Sequence, residues 1–233
     1  MADKRGSARP ASPLKSAYLI LYNFASAVAW SVVLGRTIGL LRLRGPATVY
    51  AGVGEWTKWT QTMAIMEIAH SLLGIVRAPL STTLLQVSSR LLLVWKIVDS
   101  WPFLALSPFY SSMLIAWSVT EVIRYSYFAL SLAGVLPAFL TWARYSTFYV
   151  LYPLGITSEC MLVYGATIPA AQTSKIEPYI LYGILATYVP ALEAVVLTMS
   201  CMLLSGSFIL FTHMMKQRSK VMRSLKANDA KSQ

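Results

Sequence analysis

The sequence predicts an all-α polytopic integral membrane protein, with about six transmembrane helices around a polar intramembrane cavity. Three observations predict it. Of the 233 residues, 56% are hydrophobic and only 12% charged, about half the charged share of a soluble domain, so an ordinary water-soluble fold would lack its polar surface. The apolar residues gather in runs of about 20 or more, the length that crosses roughly 30 Å of hydrocarbon. The net charge of +11 sits mainly in two terminal tails, which suits an anionic bilayer surface. The body between them is too apolar to present the basic groove of a nucleic-acid-binding protein, and no nucleic-acid partner is expected.

Residues 1–16 read as a basic N-terminal tail with Lys4, Arg5, Arg9 and Lys15. The apolar run that follows is too long for the core of a cleavable signal. Six candidate spans lie at approximately 17–40, 59–77, 82–102, 109–133, 136–166 and 178–213, which makes 17–213 one membrane domain. Short connections separate them, such as Arg44-Gly45-Pro46, Ser100-Trp101-Pro102 and Gly165 to Glu177, rich in turn formers. The last two spans exceed a single crossing, and their internal prolines, Pro153 and Pro190, predict kinks or extensions beyond the bilayer.

Residues 214–233 form a second basic tail, with Lys216, Arg218, Lys220, Arg223 and Lys226. An even number of crossings puts both tails on one side, and their charge assigns that side to the cytosol; Arg42, Arg44 and Lys58 in the first connection pull against this orientation. Both tails are short enough to be solvated and disordered. Cys160 and Cys201 lie within apolar runs, so neither a disulfide framework nor a cysteine zinc site is argued.

An ionisable side chain at the centre of a membrane helix costs about 2.5–3.5 kcal/mol on insertion scales. This chain places many there: Glu67 and His70, Arg90 and Lys96, Glu121 and Arg124, Arg144 and Glu159, and Glu193. Any one of them is explained by pairing across helices or by snorkelling to the interface. Acids and bases spread over five helices together predict a polar cavity, which a merely structural bundle does not need.

The fifth segment is the most informative. Tyr145, Tyr149, Tyr152, Ile156 and Glu159 follow 4, 3, 4, 3 spacing, which predicts one helix face carrying three phenols and a carboxylate. A carboxyl group in an apolar cavity holds its proton to higher pH and a phenol donates or accepts one, so the face has the chemistry of general acid–base catalysis. Glu159 lies 7 residues after Tyr152, roughly 10 Å along an ideal helix. Helical side chains lean toward the N-terminus, so convergence of the two needs a kink at Pro153 or an unusual rotamer. Gly155 leaves room for something to lie against the backbone. The same spacing also fits an aromatic packing stripe.

These residues sit in blocks that resemble a known family. They are Glu67-Ile68-Ala69-His70 with Gly74, Gln86-Val87-Ser88-Ser89-Arg90, Trp117-Ser118-Val119-Thr120-Glu121-Val122-Ile123-Arg124-Tyr125, and Arg144 through Glu159. In that order they resemble the 3-hydroxyacyl-CoA dehydratases of very-long-chain fatty-acid elongation, also described as protein-tyrosine-phosphatase-like membrane proteins. The resemblance implies a (3R)-3-hydroxyacyl-CoA substrate that loses water to give the trans-2-enoyl-CoA in the endoplasmic reticulum membrane. Its catalytic tyrosine and glutamate fall on Tyr152 and Glu159. One removes a proton from C2, acidified by the thioester, while the other protonates the departing C3 hydroxyl; Glu159 as base and Tyr152 as donor is the preferred assignment, and the exchanged roles fit equally well.

Glu67, Arg90, Glu121, Arg124, Arg144, Tyr145 and Gly155 are expected to support the cavity. Arg77, Arg90, Arg144 and the C-terminal tail are candidate partners for the CoA phosphates. Neither a metal nor another cofactor is needed for such an elimination. The expected partners are the long-chain 3-hydroxyacyl-CoA, the lipid bilayer and other elongation-cycle enzymes, the condensing enzyme and the reductases. The C-terminal Lys226 to Gln233 lacks a KDEL-type signal, so the reticulum localisation follows from the resemblance alone.

Two other readings compete. His70-Ser71-Leu72-Leu73-Gly74-Ile75-Val76-Arg77 echoes the His-Cys-x5-Arg phosphatase loop, with serine where that chemistry needs a low-pKa thiolate, and with intervening positions that read as apolar and helical. His70 itself reads as a hydrogen-bonded partner within the bundle. A catalytically inactive scaffold or carrier of the same fold is the second alternative, because buried charge networks also mark transport paths. The intact Tyr152 and Glu159 argue against it.

Overall fold

A computed structural model of the chain describes residues 12–173, 215–219, 221 and 223. Among them every regular element is helical. Helix α1 spans Pro13–Arg44. Ser12 caps it, its hydroxyl accepting from the Lys15 amide at 3.3 Å, and Pro13 occupies the first position, where a missing N–H costs nothing. It stops where Gly45 takes φ +80°, a conformation that favours glycine, just before Pro46. One turn, Pro46–Thr48, leads to α2, Val49–Thr62.

Next come α3, Ile65–Leu72, and α4, Leu80–Leu92, which widens into π geometry over Leu93–Val98. A short turn, Pro102–Leu106, precedes α5, Pro108–Leu132. Helix α6 covers Ala138–Ser146 and α7 covers Phe148–Thr173.

Helix α1 packs along α5 and against α2, α7 packs on the other side of α5, and α3 lies against α4. The core between them holds Trp30, Val33, Val53, Leu93, Ile97, Tyr110, Met113, Leu114, Trp117 and Leu162. Helix α1 is apolar on its outer side as well as its inner one. Its buried side combines Trp30 and Val33 with Asn23, Ser26 and Thr37, while Leu21 and Phe24 stand 67% and 61% exposed. That pattern fits a helix whose outer face meets lipid.

The predicted segments are revised in several places. Helix α1 is the one helix among the described residues that is long and apolar enough to cross a membrane by itself; at 32 residues it measures about 48 Å, longer than the hydrocarbon core. The span expected at 59–77 is divided between α2 and α3, and that at 82–102 between α4, its π extension and the Pro102 turn. The long first connection is mostly helix, because α1 runs to Arg44 and α2 resumes at Val49. The 136–166 span breaks at Thr147 into α6 and α7, so Tyr145 does not share a helix with Tyr149, Tyr152 and Glu159. Helix α7 runs through Pro153 and on through Gly165 to Thr173, where a connection was expected. Residues 215–219, in the tail expected to be disordered, are helical. The 178–213 span, Pro190, Glu193 and Cys201 lie outside the described residues.

Lys58, expected in an exposed connection, is instead 5% exposed. Its ammonium bonds Glu55 at 2.5 Å and Asp99 at 2.8 Å and lies 4.8 Å from the Trp95 ring centroid, while Tyr50 donates to Asp99 at 3.0 Å. The cluster ties α2 to the end of the π turn. Glu55 and Asp99 are open to water on their outer sides, so Lys58→Met is expected to cost only about 1 kcal/mol, read as a small drop in the thermal unfolding midpoint.

Candidate active site

A cavity of about 490 Å³ opens between α1, α3, α4 and α5. Four of the expected supporting residues meet in its wall. On α5, Trp117, Glu121, Arg124 and Phe128 follow 4, 3, 4 spacing and share a face. Glu121, 2% exposed, accepts from Arg90 of α4 at 2.5 Å and from Arg124 at 2.6 Å. Arg124 then grips Glu67 of α3 with both terminal nitrogens, at 2.8 and 2.7 Å, and the Tyr125 hydroxyl donates to the same Glu67. Each buried charge is thus paired and hydrogen-bonded, which burial requires. The network links three helices through two carboxylates.

Glu159 lies outside this network, at the contact of α7 with α5. Its Oε1 accepts from the Trp117 indole N–H at 2.7 Å. The other connection of Trp117 is to the cavity wall, because the Arg90 guanidinium lies 4.6 Å from its ring centroid. One indole therefore separates the Arg90 side of the cavity from the Glu159 carboxylate. Tyr152 stands half-buried on the same helix two turns earlier; neither it nor Glu159 lines the cavity.

Gly155 does have something close to its backbone, and it is α5: a Cβ there would meet the Ala116 Cβ at 3.7 Å and lie 4.0 Å from Trp117 Cδ1 and from Glu159 Oε1. These are ordinary van der Waals separations, so the position would also accept a methyl group.

The three carboxylates differ in what they have left to offer. Glu67 receives three donors and Glu121 two guanidinium groups. Among the described residues, Glu159 receives the single Trp117 donor. A carboxylate has roughly four acceptor sites, so Glu159 retains the most capacity to exchange a proton with a ligand.

The remaining expected residues lie elsewhere. Arg144, on α6, stacks 4.6 Å from both the Tyr127 and Phe128 rings, and Tyr145 meets Tyr127 edge to face; they fasten α6 to the end of α5. Arg218 of the C-terminal helical turn lies 5.3 Å from the Tyr149 ring centroid. His70 is a bonded member of the bundle, 2.7 Å from the Tyr18 hydroxyl and edge-on to Tyr22.

The residues after Leu72 are a turn rather than the expected helix, and Gly74 takes φ +65° there. The turn offers no phosphate cradle: the amides of Leu73, Gly74, Ile75 and Val76 all donate to carbonyls of residues 69–71, and the Ser71 hydroxyl donates to the Ala78 carbonyl at 2.8 Å.

Sequence reasoning missed the Trp117 contact, the Tyr18–His70 bond and the cavity-lining Gln61. The 4, 3, 4 face on α5 was a usable signal for the first; nothing in the spacing pointed to the others.

This helical bundle with a buried ion-pair network belongs to a defined protein family. The model of the family described as protein tyrosine phosphatase-like protein, PTPLA, matches residues 61–224, and the chain belongs to that family. Its relatives carry enzyme names. A Schizosaccharomyces pombe protein named "Probable very-long-chain (3R)-3-hydroxyacyl-CoA dehydratase" is 40% identical over 211 residues, covering 89% of this chain and 94% of that protein. The Oryza sativa very-long-chain (3R)-3-hydroxyacyl-CoA dehydratase PASTICCINO 2A is 39% identical over 93% of this chain and 97% of its own. Human very-long-chain (3R)-3-hydroxyacyl-CoA dehydratase 2 is 37% identical over 66% of this chain and 61% of its own. No solved structure matches.

Proposed function

We propose that the chain is a very-long-chain (3R)-3-hydroxyacyl-CoA dehydratase, a carbon–oxygen lyase that removes water to give the trans-2-enoyl-CoA. The observation that carries this reading is 40% identity to a protein of that name across nearly the whole length of both chains. Tyr152 and Glu159 are the proposed acid–base pair. The spare acceptor capacity of Glu159 supports its role as the group that takes the C2 proton as the C3–O bond breaks. Tyr152 then supplies a proton to the departing hydroxyl, which leaves as water. Glu67, Arg90, Glu121 and Arg124 hold the cavity open as a neutralised network.

The same reading places the chain in the endoplasmic reticulum membrane as a multi-pass protein, with both termini cytosolic and the other elongation-cycle enzymes as partners. The outward apolar face of α1 and the two basic tails support that placement. The test is turnover of a long-chain 3-hydroxyacyl-CoA by the purified, detergent-solubilised full chain. Formation of the trans-2-enoyl product is expected; inertness at every chain length would move the inactive scaffold to first place.

Trp117→Phe gives a sharper test of the site. It keeps a ring under Arg90 and deletes the N–H that holds the Glu159 carboxylate, so kcat is expected to fall by up to about tenfold with the fold retained. A wild-type kcat would show that the Trp117 contact of Glu159 does not serve the chemistry.

A further inference from the structure

The cavity wall is unevenly charged. Its lining includes four cations, Lys15, Arg77, Arg90 and Arg124, against two acids, Glu67 and Glu121. Arg90 and Arg124 pair with those two acids. Lys15 and Arg77 form no ion pair among the described residues, so two positive charges are left over.

The fold gathers both at one end. Tyr18 of α1 bonds His70 of α3 at 2.7 Å. The His70 carbonyl accepts from the Ile75 and Val76 amides at 2.8 and 3.1 Å, which pins the residue before Arg77 to the end of α3. Lys15 lies one turn before Tyr18 and Leu19 on α1. The Tyr18–His70 bond therefore sets the first turn of α1 beside the turn that carries Arg77.

Further inside, Gln61 lines the same cavity. It is 2% exposed, and its side-chain oxygen has no hydrogen-bond partner among the described residues. A buried acceptor without a donor is costly and calls for one from a ligand.

We propose that this cavity holds the coenzyme A end of the thioester, with Lys15 and Arg77 binding the diphosphate at the rim and Gln61 accepting from an amide N–H of the pantetheine arm inside. The proposal rests on the dehydratase reading for its ligand. Two unpaired cations lining one cavity suit a diphosphate through charge-assisted hydrogen bonds. A neutral arm suits an interior whose charges already neutralise one another.

The test uses the full chain in phosphatidylcholine nanodiscs and two ligands with nothing to eliminate, a saturated long-chain acyl-CoA and the pantetheine thioester of the same acid. In Lys15→Gln with Arg77→Gln, the Kd for acyl-CoA is expected to rise about tenfold or more, while the Kd for the phosphate-free thioester stays within about twofold of wild type. Gln61→Leu is expected to weaken both ligands alike. Equal effects of the double variant on both ligands, or none on either, overturn the proposal. So does an unchanged acyl-CoA Kd combined with lost retention of anionic lipid in discs containing phosphatidylserine, since the two cations would then serve lipid headgroups. Turnover of 3-hydroxyacyl-CoA by the same wild-type preparation separates the two claims: selective acyl-CoA binding without turnover sinks the dehydratase reading, and turnover with indifferent cations sinks the site.

Discussion

Glu159→Gln is expected to lower kcat by about 10²–10⁴-fold, the usual contribution of a positioned acid or base, and to leave the unfolding midpoint within a degree or two, about the effect of a few tenths of a kcal/mol. The side-chain amide keeps an oxygen for the Trp117 N–H, 2.7 Å from the carboxylate in the wild type, and nearly the same volume beside Gly155. What it loses is proton exchange at the reacting carbon. Tyr152→Phe is the companion change, removing only a hydroxyl, and a loss of similar order is expected with the fold intact. Turnover of a long-chain 3-hydroxyacyl-CoA with thermal unfolding of all three proteins decides the matter. Two folded variants with normal turnover would show that the pair is wrong, and Glu67 with Tyr125, a carboxylate–phenol contact that lies at the cavity, would be the next pair to test.

Glu121→Ala should be the most damaging single change to stability, costing about 3–5 kcal/mol. Glu121 is fully enclosed and bonds two guanidinium groups at 2.5 and 2.6 Å. Removing it strands Arg90 and leaves Arg124 with Glu67 alone, in a site where water does not replace the lost acceptor. The wild-type and variant proteins would be compared by thermal unfolding in the same detergent, with a fall of several degrees expected. Glu121→Gln retains one acceptor and should fall between them. A variant as stable as wild type would mean that the two arginines find other partners.

Much of the architecture was legible because the pattern lay in composition. The apolar runs announced helices, and Glu67, Arg90, Glu121 and Arg124 were readable as charges that pair across helices because charge within an apolar run needs a partner. The partners themselves were not. Arg144 lay in the same matching blocks, yet it stacks on aromatic rings at the end of α5. The breaks at Thr147 and at 63–64 carry no proline or glycine, so nothing local marks them; the packing of neighbouring helices decides where the chain turns. Trp117 was quoted only as part of a matching block. Its contact with Glu159 joins residues 42 apart in the chain, beyond what helical periodicity reports.

The pairing of α1 with α5 has a consequence for how the chain is made. Helix α1 begins at Pro13 and its long partner begins at Pro108. At about 5–20 residues per second of synthesis, α1 is complete several seconds before α5 has emerged. During that interval the face that holds Asn23, Ser26 and Thr37, buried in the finished bundle, lacks whatever cover α5 will give it. Biogenesis therefore depends on a helix that carries both an apolar outer side and an inner side with three polar groups until its partner arrives. Substitutions that strengthen the waiting side with leucine should ease insertion and impair assembly.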